Sequence, residues 1–226
     1  MRLYYWDSMG RIERFSANPL GRDFVAGDVH GQFHLLAEQL ERLAFDSRCD
    51  RLFCVGDLID RGRDSQAAVR WLEYPWFHCV RGNHEQMALD AQSDSNVRFT
   101  WMLNGGEWWD DTPSPIRCRL LPLLDRLPVA IVIEAARAPI GIVHADLPPE
   151  TSWSDFLEQV ERGDRNAINT ALWSRRRVYS RNNTGVPGAA KIYCGHTIVD
   201  VPLTLGNVHF IDTGAYTTGR LTVLRL

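Results

Sequence analysis

The feature that most constrains this chain is a junction that occurs three times. A short apolar run ends in glycine and passes directly into side chains able to ligate a metal. The three are Gly27-Asp28-Val29-His30-Gly31, Gly56-Asp57-Leu58-Ile59-Asp60-Arg61-Gly62 and Gly82-Asn83-His84-Glu85. Two later apolar runs end in histidine, GIVHAD at His144 and YCGH at His196. A turn needs glycine and asparagine but not this density of imidazole, carboxylate and guanidinium. In α/β folds ligands gather at the carboxyl ends of strands, so all five segments are expected to deliver their donors to one edge. A glycine beside each donor allows close backbone approach or a positive φ.

The spacing of apolar residues supplies the rest of the frame. DFVAGD (23–28), RLFCVGD (51–57) and WFHCVRGN (76–83) read as strands. Between them, 33–45 carries Phe33, Leu36, Leu40 and Leu43 at helical spacing, and 65–74 reads as a second helix. Strand, helix, strand, helix, strand is the rhythm of α/β units. The first 22 residues suggest an irregular arm or a strand pair. The stretch 84–127 reads as largely helical, broken by the glycine pair of NGGEWW (104–109) and by Pro113 and Pro115. Strands follow at 129–135 and 139–146, two helices within 147–175, a polar loop at 181–189, and final strands at 191–196, 207–214 and 219–226. The expected class is α/β, mixed: a single domain over 1–226, with two β-sheets packed together and helices outside.

Composition excludes several classes. The formal net charge of -3 gives no bulk attraction to nucleic acid or an anionic membrane. The five cysteines are odd in number and form no C-x-x-C pair, so neither a disulfide framework nor a zinc knot is expected. Cys54, Cys79 and Cys194 sit in strand-like runs and read as buried thiols of a reducing cytoplasm. The opening MRLYYWDSMGRIERF has no continuous apolar core, and no run is long enough to span a membrane.

Asp28, His30, Asp57, Asn83, His144 and His196 form a mixed nitrogen and oxygen donor set without thiolate, suited to Mn, Fe, Zn, Co or Ni. Two carboxylates and three histidines exceed one ordinary shell. Paired metals roughly 3.5–4 Å apart, bridged by a carboxylate, activate water for in-line displacement at phosphorus. His84 directly follows Asn83 and is expected to point elsewhere, at a leaving-group oxygen. Asp60 would orient it for general acid catalysis. Arg61, Arg81 and Arg175 are candidates to clamp phosphoryl oxygens, since guanidinium matches them bidentately. Each signal alone is weak: an isolated Asp-x-His or Gly-Asn-His is more often a turn, and an isolated arginine is more often surface. Their joint occurrence makes a wholly structural reading hard to sustain.

GDVHG, GDLIDRG and GNHE, with His144 and the GH of His196, resemble the signature of metallophosphoesterases of the phosphoprotein phosphatase type. The resemblance spans nearly the whole chain. WFHCVRGNHEQM, FTWMLNGGEWW, ALWSRR and IDTGAYTTGRLTVL are similar to the bacteriophage lambda-type subgroup and its bacterial relatives. The resemblance implies two mixed sheets flanked by helices. It implies one metal on Asp28, His30 and Asp57, and a second on Asp57, Asn83, His144 and His196, with Asp57 bridging. A bridging water or hydroxide would attack phosphorus without a phosphoenzyme. His84, paired with Asp60, would protonate the leaving oxygen, and Arg61 and Arg175 would bind phosphate. Arg81 precedes the Asn-His pair as in the subgroup, with a role the resemblance leaves less defined. The implied substrates are phosphorylated proteins or peptides at serine and threonine, with tyrosine also in relatives of dual specificity. The implied cofactor is a pair of divalent ions, manganese in vitro. A monomer is expected. One departure is noted: many relatives carry His-x-Gly where this chain has His144-Ala145-Asp146.

Three other readings compete. A hydrolase of diadenosine tetraphosphate or of another small phosphoester would share the scaffold, but the symmetrical dinucleotide hydrolases usually lack the aspartate before arginine and end their third motif in aspartate, where this chain has Asp60 and Glu85. A non-catalytic metal-binding module would be expected to break one of Asp60, Arg61 or His84. A nucleic-acid phosphoesterase would want a basic groove, for which only Arg175, Arg176 and Arg177 offer density. Trp101, Trp108, Trp109 and Tyr179 are expected either in the core or as a peptide-side wall. Trp108 and Trp109 are adjacent, so one of them is expected to be exposed.

Overall fold

A computed structural model describes residues 11–226. Ten strands are present among them: β1 Ile12–Phe15, β2 Asp23–Ala26, β3 Arg51–Cys54, β4 Phe77–Cys79, β5 Ala130–Ile133, β6 Ile140–Val143, β7 Lys191–Cys194, β8 Leu203–Leu205, β9 Val208–Phe210 and β10 Val223–Arg225. They form two mixed sheets, ordered β10-β2-β3-β4 and β1-β5-β6-β7-β9-β8. The predicted βαβαβ region is the parallel run β2-β3-β4, to which β10 adds antiparallel. The predicted irregular arm yields β1, while 1–10 lie outside the described residues.

Period-two alternation explains why the sheets stack. Val25, Phe53, Val55 and Val80 pack against Ile131, Ile133, Ile142, Tyr193 and Ile211 between the sheets. Their strand neighbours Phe24, Ala26, Leu52, Cys54 and Cys79 face outward, onto a core completed by Phe33, Leu36, Trp71, Met87 and Leu120. Those residues come from the helices Phe33–Arg42, Ala68–Leu72, Asn83–Asp90 and Ser114–Asp125. On the other side, Ala130, Val132, Val143 and Cys194 pack against Trp153, Phe156, Ile168 and Leu172 of the helices Trp153–Glu161 and Arg165–Trp173. The result is four layers: helices, sheet, sheet, helices. No described helix is long and apolar enough to cross a membrane.

His78, on β4, is lodged between Phe15 and Phe53, with ring centroids 4.4 and 5.3 Å away. Burial, then the Arg51 guanidinium, lowers its pKa to about 4 against the pull of Asp23. The folded chain therefore keeps this imidazole neutral while the unfolded chain protonates it below about 6.5. Between those values the unfolded state binds more protons, so stability is lost as pH falls from 6.5 towards 4. His78→Phe is expected to flatten that limb, which in the parent amounts to at most about 3 kcal/mol. Thermal melts from pH 4 to 7 would check this, and an unchanged slope would count against it.

Candidate metal and catalytic site

The five predicted junctions do meet, but from two sheets rather than one edge. Asp28, His30, Asp57, Asp60 and Arg61 follow β2 and β3, and Asn83 and His84 open the helix after β4. His144 and His196 follow β6 and β7 of the other sheet. All are buried except Arg61, which lies over the site.

The local backbone is strained to bring them there. His30, Asp57, Asp60, Arg61 and His196 all have positive φ, at 44, 50, 74, 66 and 63°. Such conformations cost non-glycine residues roughly 1–3 kcal/mol each and persist where surrounding structure enforces them. Glu85 supplies much of that enforcement. Its buried carboxylate accepts N–H bonds from Asp57, Leu58, Ile59 and Gly82 at 2.9, 2.8, 3.3 and 2.9 Å. Burial, then the neighbouring Asp57, pushes its pKa up to about 7, while those N–H donors oppose the shift. Gly82 must lack a side chain, because a Cβ there would stand 2.1 Å from Asp57 Oδ1. In the sequence Glu85 closes the third junction and sets the chain apart from the dinucleotide hydrolases, but its hold on the backbone is visible only in the fold. Its signal was the acid three residues beyond Gly82 at a helix start, where a carboxylate can reach back to the leading N–H.

Two sets of buried donors converge, and Asp57 belongs to both: His30, Asp57 and His84 in one, Asp57, His144 and His196 in the other. Asp57 Oδ2 lies 3.5 Å from His30 Nε2, and Oδ1 lies 3.4 Å from His144 Nε2. Asp28 falls outside both sets but adjoins them, with Oδ2 accepting the His196 N–H at 3.0 Å.

Three observations test whether divalent cations fit here. Asp28 Oδ1 is buried with no hydrogen-bond partner among the described residues. His144 Nδ1 faces the Val55 carbonyl at 2.8 Å, which fixes its proton there and turns a lone pair on Nε2 towards Asn83 Oδ1, also 2.8 Å away. Two acceptors at that distance suit a shared cation. His30 repeats the pattern, with Nδ1 2.9 Å from the Ile59 carbonyl. The electrostatics agree. Burial is the leading cause that lowers His30 and His196 to about 3 and lowers His144 as well, leaving neutral imidazoles. Burial, then Asp212 and Asp57, pushes the Asp28 carboxyl well up, a penalty that a bound cation would relieve. Asp212 itself is raised to about 6, by burial first. It is a buried acid beside the site that the strand reading of IDTG passed over.

His84 is turned towards Asp60. Its Nδ1 lies 2.6 Å from Asp60 Oδ2, and its Nε2 lies 3.9 Å from Asp57 Oδ2. Burial lowers its pKa, but Asp57 and Asp60 outweigh burial and the net shift is upward. Arg61 reaches His30 Nε2 at 2.9 Å and stacks over Tyr216, 4.7 Å from the ring centroid. Arg175 is half-buried and close enough to disfavour charge on His144 and His196.

Two arginine expectations are corrected. Arg81 is not a phosphate clamp: it is buried, its guanidinium donates to Gln86 Oε1 at 3.1 Å and to the Asp125 carbonyl, and it anchors the end of the helix Ser114–Asp125. Arg177 is not part of a basic surface cluster. Its Nε donates to Asp146 Oδ1 at 3.0 Å and its backbone N–H to Oδ2 at 3.1 Å, both buried. Asp146, the departure noted beside His144, thus pins the short helix that Arg175 precedes. The tryptophans follow the core alternative, except that the expected exposed member of the adjacent pair is absent. Trp101 and Trp109 are buried and Trp108 is half-buried, so neither of the adjacent pair is exposed. Tyr179 and Trp173 are exposed, and the Trp173 ring lies 6.3 Å from that of His196.

A two-sheet sandwich that sets two donor groups around one shared carboxylate is the architecture of metal-dependent phosphoesterases. The chain belongs to the calcineurin-like phosphoesterase family, whose profile matches residues 24–200. It is 36% identical to serine/threonine-protein phosphatase 1 of Salmonella typhimurium, over 95% of this chain and 96% of that protein. It is 34% identical to the symmetrical bis(5'-nucleosyl)-tetraphosphatase of Ectopseudomonas mendocina, over 60% of this chain and 48% of that one. Among solved structures, a protein serine/threonine phosphatase from Saccharomyces cerevisiae superposes with a TM-score of 0.65 at 19% identity, covering 92% of this chain and 73% of that one. At that identity it supports the fold alone.

Proposed function

We propose that this chain is a metal-dependent protein phosphatase that hydrolyses phosphoserine and phosphothreonine, and phosphotyrosine as a further substrate. It would act as one catalytic unit over 1–226, in the cytoplasm, on phosphorylated proteins. The observation that carries the reading is the buried Asp57 carboxylate, whose Oδ2 faces His30 and whose Oδ1 faces His144, with the Asp60–His84 pair beside it. Asp28, His30 and Asp57 would hold one ion, and Asp57, Asn83, His144 and His196 the other, with manganese the ion expected in vitro. Divalent ions there supply Lewis acidity at phosphorus and an acidified water. Arg61 and Arg175 hold the free phosphoryl oxygens and fix the ester for in-line displacement. His84 Nδ1–H donates to Asp60, and the nearby Asp57 and Asp60 carboxylates favour the imidazolium, whose Nε2–H is the proton delivered to the departing seryl oxygen, leaving a neutral imidazole.

The substrate class is supported by the near full-length similarity to a protein phosphatase, against the partial match to the dinucleotide hydrolase. Asp60 and Glu85 favour the same side. Rates on a phosphoserine peptide, a phosphotyrosine peptide and diadenosine tetraphosphate, measured in parallel, test it. The reading expects kcat/KM on the peptides to exceed that on the dinucleotide. The reverse order would keep the site and replace the substrate.

A further inference from the structure

We propose that Trp101 and Trp108 are positioning residues for the Asp60–His84 pair, and that NGGEWW serves proton delivery instead of forming a peptide wall. Asp60 is fully buried, and its two oxygens take three side-chain donors. His84 Nδ1 lies 2.6 Å from Oδ2, Trp101 Nε1 lies 2.7 Å from Oδ2, and Trp108 Nε1 lies 2.7 Å from Oδ1. An indole N–H can only donate. Both carboxylate oxygens are therefore held as acceptors, and the plane of the carboxylate is set by two rigid rings. Asp60 Oδ2 then has only acceptor capacity to offer His84, which keeps a proton on Nδ1 and orients the ring so that the imidazolium presents its second proton, on Nε2, to the leaving oxygen.

The two indoles are themselves braced. Trp109 stands 5.6 Å from both rings, and Trp101 and Trp108 meet edge to face at 6.4 Å. A Cβ on Gly106 would come within 2.8 Å of the Trp101 indole, so the ring lies directly on the backbone. The preceding residue accepts the Arg61 N–H at its carbonyl, 3.1 Å away. One segment thus fixes both the acid pair and the start of the phosphate clamp.

The proposal rests on His84 being the leaving-group acid, and its test separates the two. Trp108→Phe keeps an aromatic ring, smaller than the indole, and removes the donor. It is expected to lower kcat on a phosphoserine peptide about 10–100-fold, the scale seen when a group that orients a metal ligand is lost. The loss on 4-nitrophenyl phosphate, whose leaving group needs little protonation, should be under about threefold. KM, manganese occupancy and melting temperature should hold. In a His84→Asn background, Trp108→Phe should cause no further loss. Trp101→Phe should behave alike; its ring is fully buried, so if that variant melts early the Trp108 series decides. Equal losses on both substrates, or an undiminished loss in the His84→Asn background, would overturn the positioning role. If His84→Asn itself treats both substrates equally, the acid assignment falls and this proposal with it.

Discussion

Asp57→Asn is expected to abolish turnover and to empty both metal positions together. The two Asp57 oxygens face different donor sets, His144 from one side and His30 from the other. An amide presents one oxygen and one NH2, and the NH2 would point at a ligand nitrogen. The fall in turnover should reach at least about 1,000-fold, because Lewis acidity and the nucleophile are lost at once. Metal content after dialysis against Mn2+ should drop from two ions per chain to well below one. Stability gives a second readout. Asp57 raises the pKa of Asp28, Glu85 and Asp212, so the stripped parent holds a cluster of mutually repelling acids. The parent should gain melting temperature on adding metal, and the variant should gain little. Retention of one fully occupied position in Asp57→Asn would contradict a shared ligand.

His84→Asn should leave metal content near that of the parent and lower kcat on a phosphoserine peptide about 100–10,000-fold. His84 is the second residue of the helix Asn83–Asp90, directly after Asn83, and its ring is directed at Asp60. Removing it withdraws a proton donor from an alkoxide that cannot leave unprotonated. A phenolate can, so the loss on 4-nitrophenyl phosphate should be at least tenfold smaller. Steady-state rates on the two substrates, with metal content measured on the same samples, are sufficient. Equal losses would remove His84 from proton transfer.

Much of this site was legible in the chain because each donor is written next to the strand that carries it. Gly56-Asp57 and Gly82-Asn83 announce themselves as the end of an apolar run, and the helix 33–42 shows in the spacing of Phe33, Leu36 and Leu40. What escaped the reading depends on contacts distant in sequence. Trp101 reaches Asp60 across 41 residues and Arg177 reaches Asp146 across 31, so nothing local distinguishes a core indole from one that holds a carboxylate, or a surface arginine from a buried one. Arg81 misled for the same reason: beside Asn83 in sequence, it is satisfied by Asp125 instead. The strand Leu203–Leu205 was missed because three residues between Pro202 and Gly206 are too few to display alternation. That the donors come from two sheets follows from strand order, which periodicity does not encode. The left-handed conformations at His30, Asp57 and His196 are likewise imposed by the assembled fold, although aspartate and histidine adopt them more readily than most non-glycine residues.

The measurement that bears most directly on the account is phosphate release from a phosphoserine peptide by metal-stripped parent protein. Mn2+ would be added in stoichiometric steps, at a protein concentration above the dissociation constant. The account predicts no release without metal and a rise that levels near two equivalents per chain. Full activity in the stripped protein, or a plateau at one equivalent, would contradict the dinuclear site built around Asp57.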